Sequence, residues 1–110
     1  MEYIEELGYL YKEKEEVEKR ILDYRLIKEY ILNLKKQDLA YINLGGMIFV
    51  KGSIIDDSTL LINIGRNIYI EKDKNEVIDL IDKNIDRLNQ YLEEINKKIK
   101  EITQKKTLQS

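Results

Sequence analysis

Eight branched aliphatic residues, Ile78, Ile81, Ile85, Leu88, Leu92, Ile95, Ile99 and Ile102, follow one another at spacings of three and four without a miss. That period predicts a helix with one continuous apolar stripe over four heptads, a pattern that demands a second helix to cover it. The start of this helix is marked as well. Asp73 followed by Glu76 has the spacing of a capping box, with Asp as the capping residue.

A second heptad segment lies at the other end of the chain. Leu7, Lys14, Ile21 and Lys28 fall at a, and Leu10, Val17, Tyr24 and Ile31 at d. The two lysines lay their stems on the seam and keep their ammonium groups in water. The alternative reading is that they disfavour pairing of this segment with itself and help set partner or register. Ile27 and Leu34 stand just off the seam, which predicts a buried stripe that broadens or drifts near the strands. The two arms match each other. Leu7 with Ile102, Leu10 with Ile99, Val17 with Leu92, Ile21 with Leu88, Tyr24 with Ile85 and Ile31 with Ile78 each add to 109, always an a site against a d site. This constant sum predicts an antiparallel helical hairpin with both chain ends at its tip; the alternative is pairing of the long helices between chains, and the tight turns and equal arm lengths favour the hairpin.

Between the arms the heptads give way to four short apolar runs rich in Ile, Val, Tyr and Phe. Leu39–Leu44, Met47–Ile55, Thr59–Ile64 and Ile68–Lys72 are apolar runs separated by Gly45-Gly46, by Asp56-Asp57-Ser58 and by Gly65-Arg66-Asn67. Such punctuation predicts two successive β-hairpins. A small four-stranded sheet of this kind keeps two open edges and cannot bury both of its apolar faces. The middle of the chain therefore calls for partner subunits, through Ile42, Leu44, Ile48, Phe49, Val50, Leu60, Ile62, Ile64, Ile68 and Ile70. The expected organisation is an N-terminal coiled-coil helix over 1–37, two oligomerising hairpins over 38–72, a C-terminal coiled-coil helix over 73–106 and a frayed tail over 107–110.

Composition closes off several alternatives. The chain of 110 residues has no Cys, His, Pro or Trp, so thiolate and imidazole chemistry are both excluded. Its 19 basic and 21 acidic residues are mixed throughout, which argues against a nucleic-acid or membrane partner. Lys97, Lys98, Lys100, Lys105 and Lys106 alternate with Glu93, Glu94 and Glu101 as on a solvated helix face. Asp56-Asp57 is a turn former rather than a cation site. Gly45-Gly46 lacks the context of a phosphate loop. No cofactor, metal or enzymatic activity is expected. The acidic start of the chain lacks the two regions of a signal peptide, and no apolar run reaches a membrane span, so the expected location is cytoplasmic.

The tip carries an apolar surplus. Met1, Tyr3, Ile4, Tyr9 and Tyr11 crowd around the seam residues Leu7 and Leu10, opposite Ile99, Ile102 and Leu108. A two-helix coil cannot cover them all, and an exposed apolar cluster marks a contact surface. Tyr3, Ile4, Leu7, Leu10, Tyr11, Ile99 and Ile102 are the candidate contact residues.

The order helix, two hairpins, helix resembles the prefoldin family, and its alpha class within it. The local likeness lies in Ile42-Asn43-Leu44-Gly45-Gly46, Phe49-Val50-Lys51-Gly52, Ile62-Asn63-Ile64-Gly65 and Ile70-Glu71-Lys72. Asn43 stands where the family tends to have Pro, a change that leaves strand pairing easier. The resemblance implies an α+β fold in which a helical-hairpin coiled coil carries two inserted β-hairpins that join other subunits in a β-barrel platform. It implies an ATP-independent chaperone whose coiled-coil tips hold unfolded or nascent polypeptides and deliver them to a group II chaperonin. It also implies assembly with beta-class subunits or, as in the filament-forming alpha relatives, with itself. A coiled-coil adaptor for one folded partner is the remaining alternative.

Overall fold

The computed structural model of the chain describes residues 2–109, and side-chain surroundings for residues 2–105. The order of elements is α1 (Glu2–Leu32), β1 (Gln37–Gly45), β2 (Ile48–Ile54), β3 (Thr59–Asn63), β4 (Tyr69–Asp73) and α2 (Lys74–Gln109). Both helices contain long runs of Glu, Lys, Leu and Ile and no Pro, and α1 opens with Glu2 and Glu5 where the helix dipole favours negative charge.

Two compact units emerge. The first joins the chain up to Ile27 with the chain from Ile81 onward. Its core is a single seam: Leu10, Val17 and Ile21 of α1 with Ile95, Ile99 and Ile102 of α2, flanked by Tyr3, Leu7, Ile85, Leu88 and Leu92. Ile95 is the most enclosed, 2% exposed. Burial of a side chain of this size stabilises by about 1.5–3 kcal/mol. Along the whole of α1 every heptad site from Leu7 to Ile31 is buried or half-buried, Lys14 and Lys28 included, and so is every one along α2 from Ile78 to Ile102. Near the strands the stripe broadens, with Leu34 half-buried and Val77 buried, but Ile27 takes no part in it. Ile27 stays exposed while Lys28 takes the seam position, so the 3.5-residue period holds. Val77, off the heptad stripe, is nonetheless buried.

The second unit, residues 28–80, holds the strands. β1 pairs antiparallel with β2, with Ile42 opposite Val50 and Asn43 opposite Phe49, and the ladder is irregular between Gln37 and Ala40 and between Asn43 and Gly45. β3 pairs antiparallel with β4 in unbroken register, Ile62 opposite Ile70. Gly52 leaves room for its diagonal neighbour: a Cβ there would lie 2.6 Å from Ile42 Cδ1. The expected four-stranded sheet is corrected here. No ladder joins β2 to β3, and the hairpins are two separate two-stranded sheets. The link between them is committed elsewhere. Asp57 Oδ2 accepts from the Lys36 N–H at 3.3 Å, and the Ser58 carbonyl accepts from the Lys74 N–H at 2.7 Å.

The ends of the helices also depart from the sequence reading. α1 stops at Leu32 instead of running to residue 37. Its last turn tightens, with Leu34 N–H donating to the Ile31 carbonyl at 3.2 Å. Its last turn contains no basic residue. Lys74 Nζ serves this end instead, donating to the Leu34 carbonyl at 3.4 Å. Those two positions add to 108, within one of the constant predicted for antiparallel arms. At the other junction Asp73 caps α2 through the Asn75 N–H at 2.7 Å, while Glu76 turns to Lys72 Nζ at 3.7 Å, so only half of the expected capping box forms. α2 continues through the predicted frayed segment to Gln109; Ser110 lies outside the described residues.

Candidate functional site

Two exposed apolar regions stand out, one in each unit. The first is the α1 end of the coil. Ile4, Tyr9 and Tyr11 are 61%, 76% and 53% exposed. Ile4 and Tyr11 lie seven residues apart and so share a face of α1, while Tyr9 stands on another side. Tyr3 and Leu7 are half-buried against the seam. Leu10, Ile99 and Ile102, named with them as contact residues, are instead buried in the seam, because the a and d sites of the two helices cover one another. They support the surface without forming part of it. Met1 and Leu108 lie outside the described side chains. Gly8 sits between Ile4 and Tyr11 on the helix, and the shallow groove beside it is lined by Glu5, Gly8, Tyr9 and Lys12.

The second region is the pair of hairpins. Opposed residues of an antiparallel ladder share a face. The β1–β2 hairpin therefore presents Ala40, Ile42 and Val50 on one side and Tyr41 and Phe49 on the other. Neither side is covered: Ile42, Leu44, Ile48, Phe49 and Val50 are all exposed, as are Leu39 and Tyr41. The β3–β4 hairpin is different. Leu60, Ile62 and Ile70 share a half-buried face, while Leu61 and Tyr69 project from the exposed one. Ile64 and Ile68 are exposed at its turn. Of the exposed apolar residues, Leu39, Tyr41, Met47, Ile55, Leu61 and Tyr69 were not among the expected contacts. For Leu39, Tyr41, Leu61 and Tyr69 the available signal is the second face of each strand; Met47 and Ile55 lie just outside β2.

The turns that shape these hairpins share one device. Ile42-Asn43-Leu44-Gly45 and Ile62-Asn63-Ile64-Gly65 are one motif twenty residues apart. Asn43 Oδ1 accepts from the Gly45 N–H at 2.7 Å, and Asn63 Oδ1 accepts from the Gly65 N–H at 2.8 Å. Both glycines have positive φ, 127° and 113°, which a residue with a Cβ rarely adopts. Asn43 and Asn63 thus each fix the backbone that enters a hairpin turn.

Between the hairpins, Asp56 Oδ1 accepts from the Ser58 N–H and Oγ–H, both at 2.8 Å, and from the Thr59 N–H at 3.3 Å. These bonds, chiefly that from the Ser58 N–H, hold its carboxyl below the usual range. Among the described residues no group of three or more acidic side chains is arranged to hold a metal ion, and no helix is long and apolar enough to cross a membrane.

This arrangement matches known proteins. A sequence model of the family "Prefoldin subunit" matches residues 3–108. Prefoldin subunit alpha 1 of Methanocaldococcus jannaschii is 31% identical over 81 residues, which are 67% of this chain and 56% of that protein. Protein UXT homolog of Nematostella vectensis is 26% identical over 89 residues, 76% of this chain and again 56% of that protein. The chain thus spans a little over half the length of the curated relatives it matches. A cryo-EM structure of filamentous PFD from Methanocaldococcus jannaschii superposes with a TM-score of 0.81 at 19% identity, covering 94% of this chain and 88% of that one. Two helices in an antiparallel seam, two hairpins between them and a family match over nearly the whole sequence lead to one conclusion: the chain belongs to the prefoldin family, as an alpha-like subunit.

Proposed function

We propose that this chain is an ATP-independent holdase subunit that binds unfolded polypeptides at the α1 end of its coil and assembles through its hairpins. The observation that carries this reading is the exposure of Ile4, Tyr9 and Tyr11 above a seam that is already filled. A filled seam leaves these side chains no partner within their unit, and small apolar contacts of this size bind weakly and release quickly. Several such ends in one assembly act together on one unfolded chain through high local concentration. The role is non-enzymatic and cytoplasmic, and the bound chain passes on to a group II chaperonin. The partners in assembly are beta-class subunits or further copies of itself. Self-assembly into filaments is the second reading. It is favoured by the likeness to the filamentous structure and by a β1–β2 hairpin whose two faces are both uncovered.

The test replaces Ile4, Tyr9 and Tyr11 by Ser together and follows aggregation of a chemically denatured protein by turbidity. Protection is expected to be lost while helicity and assembly mass stay those of the unsubstituted chain. Undiminished protection would refute the reading.

A further inference from the structure

A second stripe runs along α1 from the coil end. Ile4, Gly8, Tyr11, Glu15, Glu18 and Leu22 follow one another at spacings of four and three, the period of a seam, yet none of them is a seam residue and all are exposed. The stripe changes character along its length. It is apolar at Ile4 and Tyr11, acidic at Glu15 and Glu18, and apolar again at Leu22, which is 57% exposed and has the exposed Leu26 one turn beyond. Glu15, Glu18 and Leu22 line one groove together with the buried Ile21 and with Asn89 and Leu92 of α2.

Negative charge gathers at this height. Between residues 2 and 18, α1 carries seven glutamates and two lysines. On α2, Glu93 stands one turn from Asn89 on the same face, and the antiparallel constant of 109 sets it level with position 16. Among the described residues no ion pair engages Glu15, Glu18 or Glu93, although Lys19 lines the same groove. Nor are acidic side chains gathered there to hold a metal ion. Carboxylates spread along a groove suit separate ammonium or guanidinium groups instead. A second copy of the stripe does not supply them: centred on itself in either direction, it sets glutamate against glutamate.

We infer that this stripe is a track for an extended segment of unfolded polypeptide in which basic side chains stand between two apolar ones. It rests on the reading that the coil end binds unfolded chains, and it names the class of segment held there. The spacing follows from two geometries. Tyr11 and Leu22 are about 16 Å apart along the helix at 1.5 Å per residue. An extended chain covers that distance in about five residues. A segment Leu-Ser-Lys-Lys-Ser-Leu therefore brings its leucines to Tyr11 and Leu22 and its lysines to Glu15 and Glu18. Arg25, the next step of the stripe, repels a further basic residue and ends the track.

The test uses three dye-labelled peptides with glycine–serine flanks: Leu-Ser-Lys-Lys-Ser-Leu, and the same peptide with Gln-Gln or Glu-Glu at its centre. Each is titrated with the full chain in its assembled form and followed by fluorescence anisotropy. The lysine peptide is expected to bind roughly three- to tenfold more tightly than the glutamine peptide, as two exposed charge pairs allow, and the glutamate peptide more weakly than both. Glu15→Gln with Glu18→Gln is expected to bring the lysine peptide down to the glutamine peptide and to leave the latter unchanged. Glu15→Lys with Glu18→Lys is expected to reverse the order in favour of the glutamate peptide. Equal binding of the three peptides, or a lysine preference that survives the glutamine pair, would overturn the inference. So would a glutamine pair that alters the assembly mass without altering the peptide order, since the stripe would then face another subunit. The two proposals fail separately. Charge-blind binding that the Ile4, Tyr9 and Tyr11 variant abolishes would overturn the track and leave the holdase reading standing. The full charge order, with protection undiminished in that variant, would do the reverse.

Discussion

Asp56 is the residue on which the link between the hairpins turns, since it gathers two N–H groups and one hydroxyl onto a single oxygen. Its carboxyl is held below the usual value of 3.8 by the Ser58 N–H first and the Ser58 hydroxyl second. A depressed carboxylate contributes stability above its ordinary value and loses that contribution as the pH falls through the lowered one. Asp56→Asn is therefore expected to unfold at lower urea concentration than the unsubstituted chain at neutral pH, with the gap closing below about pH 4. Urea titrations at a series of pH values check this; a gap that persists in acid would contradict it. Arg66 makes a second case. It and Asn67 both have positive φ, 52° and 59°, in the turn closed by the Ile68 N–H and the Gly65 carbonyl at 2.9 Å. Asn tolerates this region and Arg does not. Arg66→Asn is expected to stabilise the hairpin by about 0.5–1 kcal/mol, read as a raised thermal midpoint.

At the scale of the element, α1 and α2 divide the work of the coil unequally. α2 supplies branched aliphatics at every seam site, whereas α1 places Lys14 and Lys28 at two of its seam sites and carries further apolar side chains outside the seam. Gly8 adds to this asymmetry. A Cβ at Gly8 would meet nothing within 4 Å, so no close approach requires glycine there. Its effect is to weaken the helix beside Ile4 and Tyr11. Gly8→Ala is expected to stabilise α1 by about 0.8–1 kcal/mol, the usual difference in helix propensity. Hydrogen exchange of the first three turns measures it, and unchanged protection there would show that the end is held by something other than propensity. The hairpins divide unequally too, the β1–β2 hairpin exposing both faces and the β3–β4 hairpin chiefly one.

For the whole molecule, two separate two-stranded sheets are the decisive feature. An isolated hairpin is marginal in water, and each sheet here keeps an unpaired outer edge on both of its strands. The purified chain is accordingly expected to associate. Light scattering over a concentration series should give a small discrete oligomer if a beta-class partner completes the assembly. It should give a polydisperse mass that grows with concentration if the chain completes itself. A stable monomer throughout would remove the basis of assembly through the hairpins.

The heptads of both arms, their antiparallel match and all four strands were legible in the sequence. Periods of 3.5 and of two are properties of local geometry, and each residue announces its side of a helix or strand by its position alone. The turn glycines and the cap at Asp73 were legible for the same reason. Tertiary structure decided what depends on distant groups. Lys74 closes the end of α1 across forty residues, Asp57 and Ser58 bond to Lys36 and Lys74, and β2 and β3 form no ladder with each other. It also decided which apolar residues of the tip are available, because Leu10, Ile99 and Ile102 are buried only once the two helices cover each other, while Ile4, Tyr9 and Tyr11 remain in water. A pattern fixes the face on which a side chain lies; whether that face is covered is settled by where the rest of the chain goes.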